Sequence, residues 1–241
     1  MKILLAPSET KIAGGDEKFD ISNLSFDTLD RSLVDKYQDI ILNSSTQTLS
    51  KLFGIKDISK IDNYKTILQN QPTLKAIERY TGVAFDYLDY NSLDKNSKNY
   101  IDNNLLIFSN LFGVLKANDL IPNYKLKQGE GIRDIKSDKF YKNNITKILD
   151  NYLQNEDILD LRAKYYEKFY KPTKNYTTLK FIKDGKVVSH WAKAYRGKIT
   201  REIALNSINS IDELMALDIK GLSLIEILNI KNQIEIIYSI E

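Results

Sequence analysis

The stretch Leu105-Leu106-Ile107-Phe108-Ser109 decides the fold, because its apolar residues follow one another without polar alternation. The stretch is bounded by turn residues, and an apolar run of this length is typical of a strand buried on both faces of a sheet. Lys2-Ile3-Leu4-Leu5, which is stopped by Pro7, and Ile158-Leu159-Asp160-Leu161 have the same character. Buried strands separated by long helical segments predict an α/β architecture.

The segments between these strands predict helices. Residues 24–53 carry apolar side chains at helical spacings, and residues 163–169 and 196–207 are also helix-like. We find no linker-like stretch, low-complexity tract or internal repeat. We therefore expect a single mixed domain over residues 1–241, with a β-sheet and surrounding helices.

Two hairpins are predicted near the C-terminus. Residues 177–191 alternate between polar and apolar around Lys183-Asp184-Gly185-Lys186, and Asp-Gly is a preferred hairpin turn. Residues 223–240 contain two apolar strands around Asn229-Ile230-Lys231-Asn232. The sheet is therefore expected to include antiparallel hairpins in its C-terminal part.

The bulk composition excludes several classes of function. The 241 residues are 42% apolar and contain no cysteine, which rules out disulfides, iron–sulfur clusters and cysteine nucleophiles. The net charge is only +3, so a nucleic-acid site has to be local. The N-terminus has too short an apolar run for a signal peptide, and no window approaches the roughly 18 apolar residues of a membrane span. We expect a cytoplasmic protein with no membrane partner.

The basic block, residues 187–201, contains the only histidine and the only tryptophan of the chain. Residues 180–201 carry seven Lys or Arg and one Asp, whereas residues 202–241 carry seven Asp or Glu and two Lys. Such a cluster of cations is a candidate surface for a polyanion, on which Trp191 and Tyr195 could stack bases. The alternative is that Trp191 belongs to the core and that the cations lie on a solvated helix face. Arg196, Lys198 and Arg201 cannot all point one way, because successive helical residues rotate by about 100°.

A second candidate for nucleic-acid binding is the segment 48–61. Two apolar helical pieces flank the tight turn Gly54-Ile55, and Lys51, Lys56 and Lys60 surround that turn. Helix–hairpin–helix modules use such a turn because glycine lets backbone N–H groups approach a phosphate. This chain has one glycine where the module commonly has two, so a helix–turn–helix corner without a ligand explains the segment equally well.

Catalytic motifs are few. One histidine excludes a multi-histidine metal site, and we interpret His190 as a packed or rim residue rather than a general base. The glycines form no dinucleotide-binding or Walker motif. Carboxylates are plentiful, but no spacing singles them out as metal ligands. We predict no catalytic residue, metal or cofactor.

Four blocks of the chain resemble the YaaA family of peroxide-stress proteins. Residues 5–11 resemble the family's S-P-A-K-T loop, residues 76–88 resemble a block that ends in Y-x-G-L, and residues 109–126 resemble S-G-L-Y-G-V-L-R-P-x-D-x-x-x-P-Y-R-L. Residues 192–197 resemble A-K-x-A-R-G. The blocks occur in the family's order across nearly the whole chain. Tyr87, Ala117 and Tyr195 depart from the motifs and suggest a divergent branch.

This resemblance implies a mixed α/β fold with a basic cleft and a helix–hairpin–helix element, binding to double-stranded or junction DNA, and a role in peroxide resistance, DNA repair and low free iron. Cooperative self-association on DNA is left open. The family is not established as an enzyme. By position the cleft cations are Lys11, Lys116, Lys125, Lys193 and Arg196; Lys198 and Arg201 join them by proximity, and Lys51, Gly54 and Lys56 form the hairpin.

The sequence therefore predicts a protein of the oxidative-stress response that binds the DNA backbone, protects DNA and limits free iron. The alternative is a metal-dependent or phosphate-handling enzyme that acts on nucleic acid or on a phosphorylated metabolite. Its support is the polar loop Ser8-Glu9-Thr10-Lys11, which follows a buried strand, a common place for ligand sites in α/β folds.

Overall fold

A computed structural model describes residues 1–26, 30–188 and 190–241. Within them the strands are β1 (Lys2–Leu5), β2 (Glu17–Lys18), β3 (Pro72–Lys75), β4 (Leu105–Ser109), β5 (Gly113–Lys116), β6 (Leu120–Pro122), β7 (Ile158–Leu161), β8 (Tyr176–Lys183), β9 (Lys186–Val187), β10 (Leu222–Ile230) and β11 (Gln233–Ile240). The α-helices are α1 (Ser32–Asn43), α2 (Thr46–Phe53), α3 (Ala76–Arg79), α4 (Val83–Leu88), α5 (Lys95–Asn104), α6 (Ser137–Leu153), α7 (His190–Leu205) and α8 (Ile211–Ala216).

The main sheet has eight strands in the order β10-β11-β8-β7-β1-β4-β5, with β9 paired to β8. The inner strands β11, β8, β7, β1 and β4 run parallel to one another, and β10, β9 and β5 pair antiparallel. Strands β2, β3 and β6 form a separate small sheet. The mixed α/β architecture predicted from the three apolar runs is confirmed.

The three apolar runs form the centre of the sheet. All residues of β4 and β7 are buried, and Ile3, Leu4 and Leu5 of β1 are buried as well. Helix α6 covers this sheet with Tyr141, Ile145, Leu149 and Leu153, which recur every four residues and so share one helix face. The centre of the sheet is therefore closed to ligands, and a site has to lie at its edges or ends.

Strands are added on both sides of β1. Its neighbour β4 lies on one side, and β7, followed by β8, lies on the other. Ligands of open α/β sheets commonly bind beyond the carboxyl ends of the strands where the direction of strand addition reverses. Here that point is the edge formed by Leu5 and Leu161, the last residues of β1 and β7.

Both predicted C-terminal hairpins are present. Asp184 and Gly185 have positive φ values of 51° and 73°, as the turn between β8 and β9 requires. Strands β10 and β11 pair antiparallel on either side of Lys231, which also has positive φ. The β9 strand is only two residues long, however, so the alternation predicted for residues 177–191 stops early.

Two helix boundaries differ from the prediction. The chain turns into α7 at His190, so that His190 and Trp191 are helical rather than strand-like, and the helix begins six residues before the predicted start at Arg196. The segment 24–53 is divided, because Ser44 and Ser45 are extended and the Ser45 hydroxyl accepts from the Thr48 N–H to begin α2. Residues 27–29 of that segment, and Ser189 of the basic block, lie outside the described residues.

The segment predicted as a helix at residues 163–169 is a shorter 3-10 turn, Tyr166–Phe169. The second arm of the predicted helix–hairpin–helix is also not an α-helix. After α2 and Gly54, the chain forms two 3-10 turns, Ile58–Lys60 and Asp62–Tyr64. The predicted element therefore consists of one α-helix, a glycine turn and two short 3-10 turns.

A candidate anion-binding cleft at the carboxyl ends of the sheet

A cavity of about 420 Å³ lies beyond the carboxyl ends of β1 and β7; we call it the β1 cavity. Its walls come from the loop after β1, the start of α4, the segment after β7, and α7. The lining residues are Leu5, Ala6, Pro7, Ser8, Glu9, Gly82, Val83, Ala84, Phe85, Gln128, Leu161, Ala163, Tyr166, Lys193 and Arg196. Two of the predicted cleft cations, Lys193 and Arg196, are therefore brought together at the switch point of the sheet.

Gly197 sets the position of these two cations. A Cβ atom at this residue would lie only 2.0 Å from the carbonyl oxygen of Ala84, so only glycine allows α7 to pack this closely on the backbone of α4. Lys193 is one helical turn before Gly197, and Arg196 directly precedes it. The A-K-x-A-R-G block thus places its two cations beside the first turn of α4.

A larger cavity of about 830 Å³, the β8 cavity, lies on the other side of Arg196. It is lined by Asp160, Arg162, Lys164, Glu167, Lys168, Tyr170, Lys171, Pro172, Tyr176, Thr178, Leu179, Lys180, Phe181, Val187, Val188, Ala192, Arg196, Gln233 and Glu235. Arg196 lines both cavities. The two cavities and their cations are called the cleft below.

A buried ion pair lies within the lining of the β8 cavity. The Arg162 Nε donates to Asp160 Oδ1 at 2.8 Å and Nη2 donates to Asp160 Oδ2 at 2.6 Å. Arg162 also donates to the carbonyls of Tyr166 and Tyr170, and its guanidinium lies 4.2 Å from the ring centre of Phe108. Because four of its five N–H donors bind groups of the protein and its side chain is buried, Arg162 has a structural role rather than a ligand-binding one.

Arg196 is only partly exposed. Burial lowers the pKa of its guanidinium, and the nearby carboxylates Asp160 and Glu167 oppose this shift. Burial also raises the pKa of Glu167, with a further contribution from Asp160. Because arginine keeps its charge in proteins, Arg196 presents a desolvated cation to both cavities, which strengthens its attraction for an anion.

The sequence did not single out four lysines beside Arg196. Lys164, Lys168 and Lys171 are exposed, line the β8 cavity and form no ion pair within the described ranges, and Lys180 lies 3.5 Å from Glu235. The sequence does contain a pattern that could have predicted them, namely the cations that follow the buried strand β7. Loops at the carboxyl ends of parallel strands meet at one edge of the sheet, so these cations could have been expected there. The charge count of residues 180–201 includes Lys180, but Lys164, Lys168 and Lys171 precede that range and were not counted.

Lys11 and Lys125 lie together near the β1 cavity. The Lys11 Nζ donates to the Ser8 carbonyl at 3.3 Å and lies 4.0 Å from the ring centre of Tyr124 and 5.0 Å from that of Tyr80. The Lys125 Nζ donates to the Glu9 carbonyl at 3.1 Å. Burial is the main cause that lowers the pKa of Lys11 to about 7, and the Lys125 charge lowers it further. Lys11 is thus poorly suited to hold a phosphate as an ammonium.

The tyrosines beneath Lys11 form a closed hydrogen-bond network. The hydroxyls of Tyr80 and Tyr124 lie 2.8 Å apart, and the Ser109 hydroxyl lies 2.7 Å from that of Tyr124. Burial raises the pKa of Tyr80 to about 12 and that of Tyr124 well above its ordinary value. These hydroxyls therefore stay protonated and hold the loop residues in place.

The remaining predicted cations of the basic block point elsewhere. The Lys198 Nζ donates to the Lys220 carbonyl, and Arg201 Nη1 donates to the carbonyls of Leu88 and Asp89 at 2.9 Å each. Arg201 therefore stabilises the carboxyl end of α4. The prediction that Arg196, Lys198 and Arg201 cannot share one direction is confirmed, and Lys198 and Arg201 bind the protein itself.

Lys116 lies at the opposite end of the strands from the cleft. It is paired with Leu106 near the start of β4, and its Nζ lies 5.4 Å from the ring centre of Tyr152. Lys2, the first residue of β1, approaches the same ring at 5.7 Å. The structure thus places Lys116 with the amino ends of the strands, and not with Lys193 and Arg196.

The Gly54 turn does not offer its amides to a ligand. Gly54 has φ 66° and its N–H donates to the Lys51 carbonyl, while the Ile55 N–H donates to the Ser50 carbonyl. The side chain of Lys127 covers Gly54, with carbon atoms 3.1 to 3.3 Å from the position of a Cβ. Lys51 and Lys56 are exposed, and Lys51 lies 3.7 Å from Glu130. Any phosphate contact here would rest on lysine side chains.

Trp191 does not belong to the core, because 48% of its surface is exposed on the first turn of α7. Tyr195 stacks on Phe181, with ring centres 5.5 Å apart. The backbone of His190 begins α7, and its side chain lies outside what the structure describes. Of the two aromatic residues of the basic block, Trp191 is therefore the one free to stack on a ligand.

Two features are not found among the described residues. The described residues contain no group of three or more His, Asp or Glu side chains that could hold a metal ion. In the same part of the chain, no helix is both long and apolar enough to cross a membrane. Two of the three carboxylates that line the β8 cavity are paired with cations, Asp160 with Arg162 and Glu235 with Lys180.

Comparison with known proteins identifies one family and several relatives of similar length. The family model described as peroxide stress protein YaaA matches residues 1–227. An uncharacterized protein of Campylobacter jejuni is 48% identical over 221 residues, which cover 90% of this chain and 89% of that protein. A UPF0246 protein of Corynebacterium glutamicum is 33% identical over 219 residues, 86% of each chain, and one of Fusobacterium nucleatum is 30% identical over 197 residues, 73% of this chain and 79% of the other.

Proposed function

The chain belongs to the YaaA family of peroxide stress proteins, and from this premise we propose that it binds double-stranded or structured DNA through the cleft and so protects DNA during peroxide stress. The observation that supports the proposal is the group of cations around Arg196. Lys164, Lys168, Lys171 and Lys193 are exposed beside it, and none of these lysines has an ion-pair partner among the described residues. Free cations gathered at one edge attract a polyanion.

The chemistry of the cleft favours contact with the DNA backbone. Lysine ammonium groups and one partly desolvated guanidinium neutralise phosphates without reading base sequence. The exposed ring of Trp191 adds a surface on which an unpaired base can stack. Binding should therefore depend on salt and on DNA structure more than on sequence.

The direct test is a salt titration of DNA binding by fluorescence anisotropy. The double variant Lys193→Gln/Arg196→Gln should weaken binding equally on unrelated duplexes and reduce the salt slope by about two units, one for each lost phosphate contact. The matched control is Lys142→Gln/Lys147→Gln, which removes two exposed cations from the solvent face of α6. If both double variants bind and respond to salt like the native protein, the cleft is not the DNA surface.

Two further experiments test the preference for structured DNA and the role in peroxide stress. Bubble and four-way-junction DNA, compared with duplex at one salt concentration, show whether structured DNA is preferred, and RNA is added as a competitor. In cells, the cleft variant should lose peroxide resistance while the α6 control keeps it. Because of the family resemblance, we also propose that the protein limits free iron. Measuring free iron in the same two strains shows whether this effect depends on DNA binding.

A further inference from the structure

The surroundings of Lys11 resemble those of a reactive amine more than those of a phosphate-binding lysine. Lys11 forms an isolated bridge with Tyr80, and its Nζ lies over the rings of Tyr80 and Tyr124. No carboxylate lies within ion-pair distance of the Nζ in the described ranges; its hydrogen bond goes to the Ser8 carbonyl at 3.3 Å. An ammonium at this partly buried position lacks the anionic partner that normally accompanies a desolvated cation.

The charged groups that face Lys11 are mainly cations. Lys125 acts on it from the segment after β6, and Arg79 acts from α3, while Glu9 is the opposing anion. Arg79 is completely buried, and the Lys125 Nζ donates to the Glu9 carbonyl, next to the Ser8 carbonyl that Lys11 binds. A lysine that is desolvated beside another fixed cation is a recognised arrangement for a nucleophilic amine.

Lys11 also lies next to a space for a small molecule. Ser8, which accepts its hydrogen bond through the backbone carbonyl, lines the β1 cavity. Lys193 and Arg196 lie in the same cavity lining. Lys11 itself does not line the cavity, but its Nζ binds the carbonyl of the lining residue Ser8, so a small anionic carbonyl compound held by Lys193 and Arg196 would lie on the other side of Ser8 from the amine.

We propose that Lys11 is a nucleophilic amine that forms an imine with a small anionic carbonyl compound, such as a 2-oxo acid, at the β1 cavity. The neutral amine attacks the carbonyl carbon, the carbonyl oxygen leaves as water with the two amine hydrogens, and a carbon–nitrogen double bond remains. This activity goes beyond DNA binding and does not rest on it: it shares Lys193 and Arg196 with the proposed DNA surface, but its reacting group is Lys11 and its ligand is a small molecule.

The pH dependence follows from the charges around the amine. Since burial and like charge lower the pKa of Lys11 to about 7, the amine is free above that pH in the folded protein. At pH 7 about half of such an amine is free, against a few in ten thousand for a lysine with the ordinary pKa of about 10.4. Allowing for the weaker nucleophilicity of a less basic amine, Lys11 should react on the order of a hundredfold faster than an exposed lysine at pH 7.

The test is imine trapping in the absence of DNA. The full-length protein is incubated with glyoxylate and sodium cyanoborohydride at several pH values, and the secondary amine formed at each lysine is quantified by peptide mass spectrometry. Lys11 should be modified with a half-maximal rate near pH 7, and exposed lysines such as Lys142 only at much higher pH. If the ring faces of Tyr80 and Tyr124 kept Lys11 protonated, its midpoint would lie near 10, which would overturn the proposal.

Two variants and one second probe complete the experiment. Lys125→Gln removes the neighbouring cation and should move the Lys11 midpoint to higher pH, whereas the control Lys142→Gln should leave it in place. Lys11→Arg keeps the charge and should abolish the adduct at this residue alone. Acetaldehyde, which has no charge, tests whether the compound must be anionic. The rate at Lys11 is divided by the rate of the same aldehyde with N-acetyl-lysine. If this ratio is as high for acetaldehyde as for glyoxylate, the preference for an anionic compound is wrong.

Discussion

Arg79 shows that the role of a charged residue depends on where its donors point. It lies in a family-like sequence block, yet none of its surface is exposed, and burial lowers its pKa to about 10. Its guanidinium donates to the carbonyls of Ile12, Gly14, Pro72 and Ile121 at 2.6 to 3.2 Å. This one side chain therefore joins the loop after β1 to the small sheet. Its charge serves the fold, because the side chain is completely buried and so out of reach of a ligand.

We expect Arg79→Met to destabilise the protein by about 3 kcal/mol or more, because several buried carbonyls lose their donor and each such group costs about 1–3 kcal/mol. Urea unfolding followed by circular dichroism measures this as a lower midpoint. Lys147→Met makes the same kind of change at an exposed position of α6 and should stay within about 0.5 kcal/mol of the native value. Equal midpoints for Arg79→Met and the native protein would contradict the role given to Arg79.

At the scale of elements, the contact between α4 and α7 positions the cleft. Helix α7 buries Ala192, Ile199 and Ile203 on the side that faces the core, and Gly197 lets its backbone meet α4. Arg201 fixes the other end of the contact by binding the last carbonyls of α4. Lys193 and Arg196 are therefore held by a rigid pair of helices rather than by a mobile loop.

Gly197→Ala should disturb this contact, since the added methyl group would lie 2.0 Å from the Ala84 carbonyl oxygen and the helices would have to separate. Overpacking of this kind costs about 1–3 kcal/mol. We also expect weaker DNA binding, because Lys193 and Arg196 move with α7. Thermal unfolding and anisotropy measure the two effects.

Gly131→Ala is the matched control for Gly197→Ala. Gly131 has no positive φ, and its nearest neighbours lie 3.4 Å or more from the position of a Cβ, so a methyl group fits there. This variant should keep both stability and DNA affinity. A Gly197→Ala protein that behaves like the Gly131→Ala protein would show that the close approach of α4 and α7 is not needed.

At the scale of the whole molecule, the direction of the parallel strands sorts the cations into two groups. The carboxyl ends of β1 and β7 meet Lys193 and Arg196, whereas Lys2 and Lys116 lie at the amino ends around Tyr152. Four residues of an extended strand span roughly 13 Å, which exceeds the screening length of about 8 Å at physiological salt. The two groups therefore act as separate surfaces.

This separation predicts that Lys116→Gln has little effect on DNA binding, although Lys116 falls in one of the family-like blocks. The salt slope should remain within experimental error of the native value, while Lys193→Gln alone lowers it by about one unit. Salt-dependent anisotropy on the same duplex compares the two single variants. Equal losses in both would show that DNA reaches around the sheet to the amino ends of the strands.

The sequence by itself determined the class of fold and the centre of the sheet. Continuous apolar runs at Lys2–Leu5, Leu105–Ser109 and Ile158–Leu161 can satisfy their backbone groups and bury both faces only as inner strands. The Asp184-Gly185 turn was equally predictable, because few residues accept positive φ in two successive positions. These features depend on local pattern and local conformation, which the sequence contains directly.

The tertiary structure alone decided which cations share a surface. The family-like block at residues 192–197 set Lys193 and Arg196 apart from Lys198 and Arg201, but the physical difference between the two pairs comes from the close contact of α7 with α4 and from the carbonyls that bind Lys198 and Arg201. The start of α7 at His190 was missed because the strand alternation predicted for residues 177–191 was extended over its first two residues. Lys11 acquires its unusual environment only when Tyr80, Tyr124 and Lys125 come from distant parts of the chain to surround it, because the environment of a charge is set by neighbours in space.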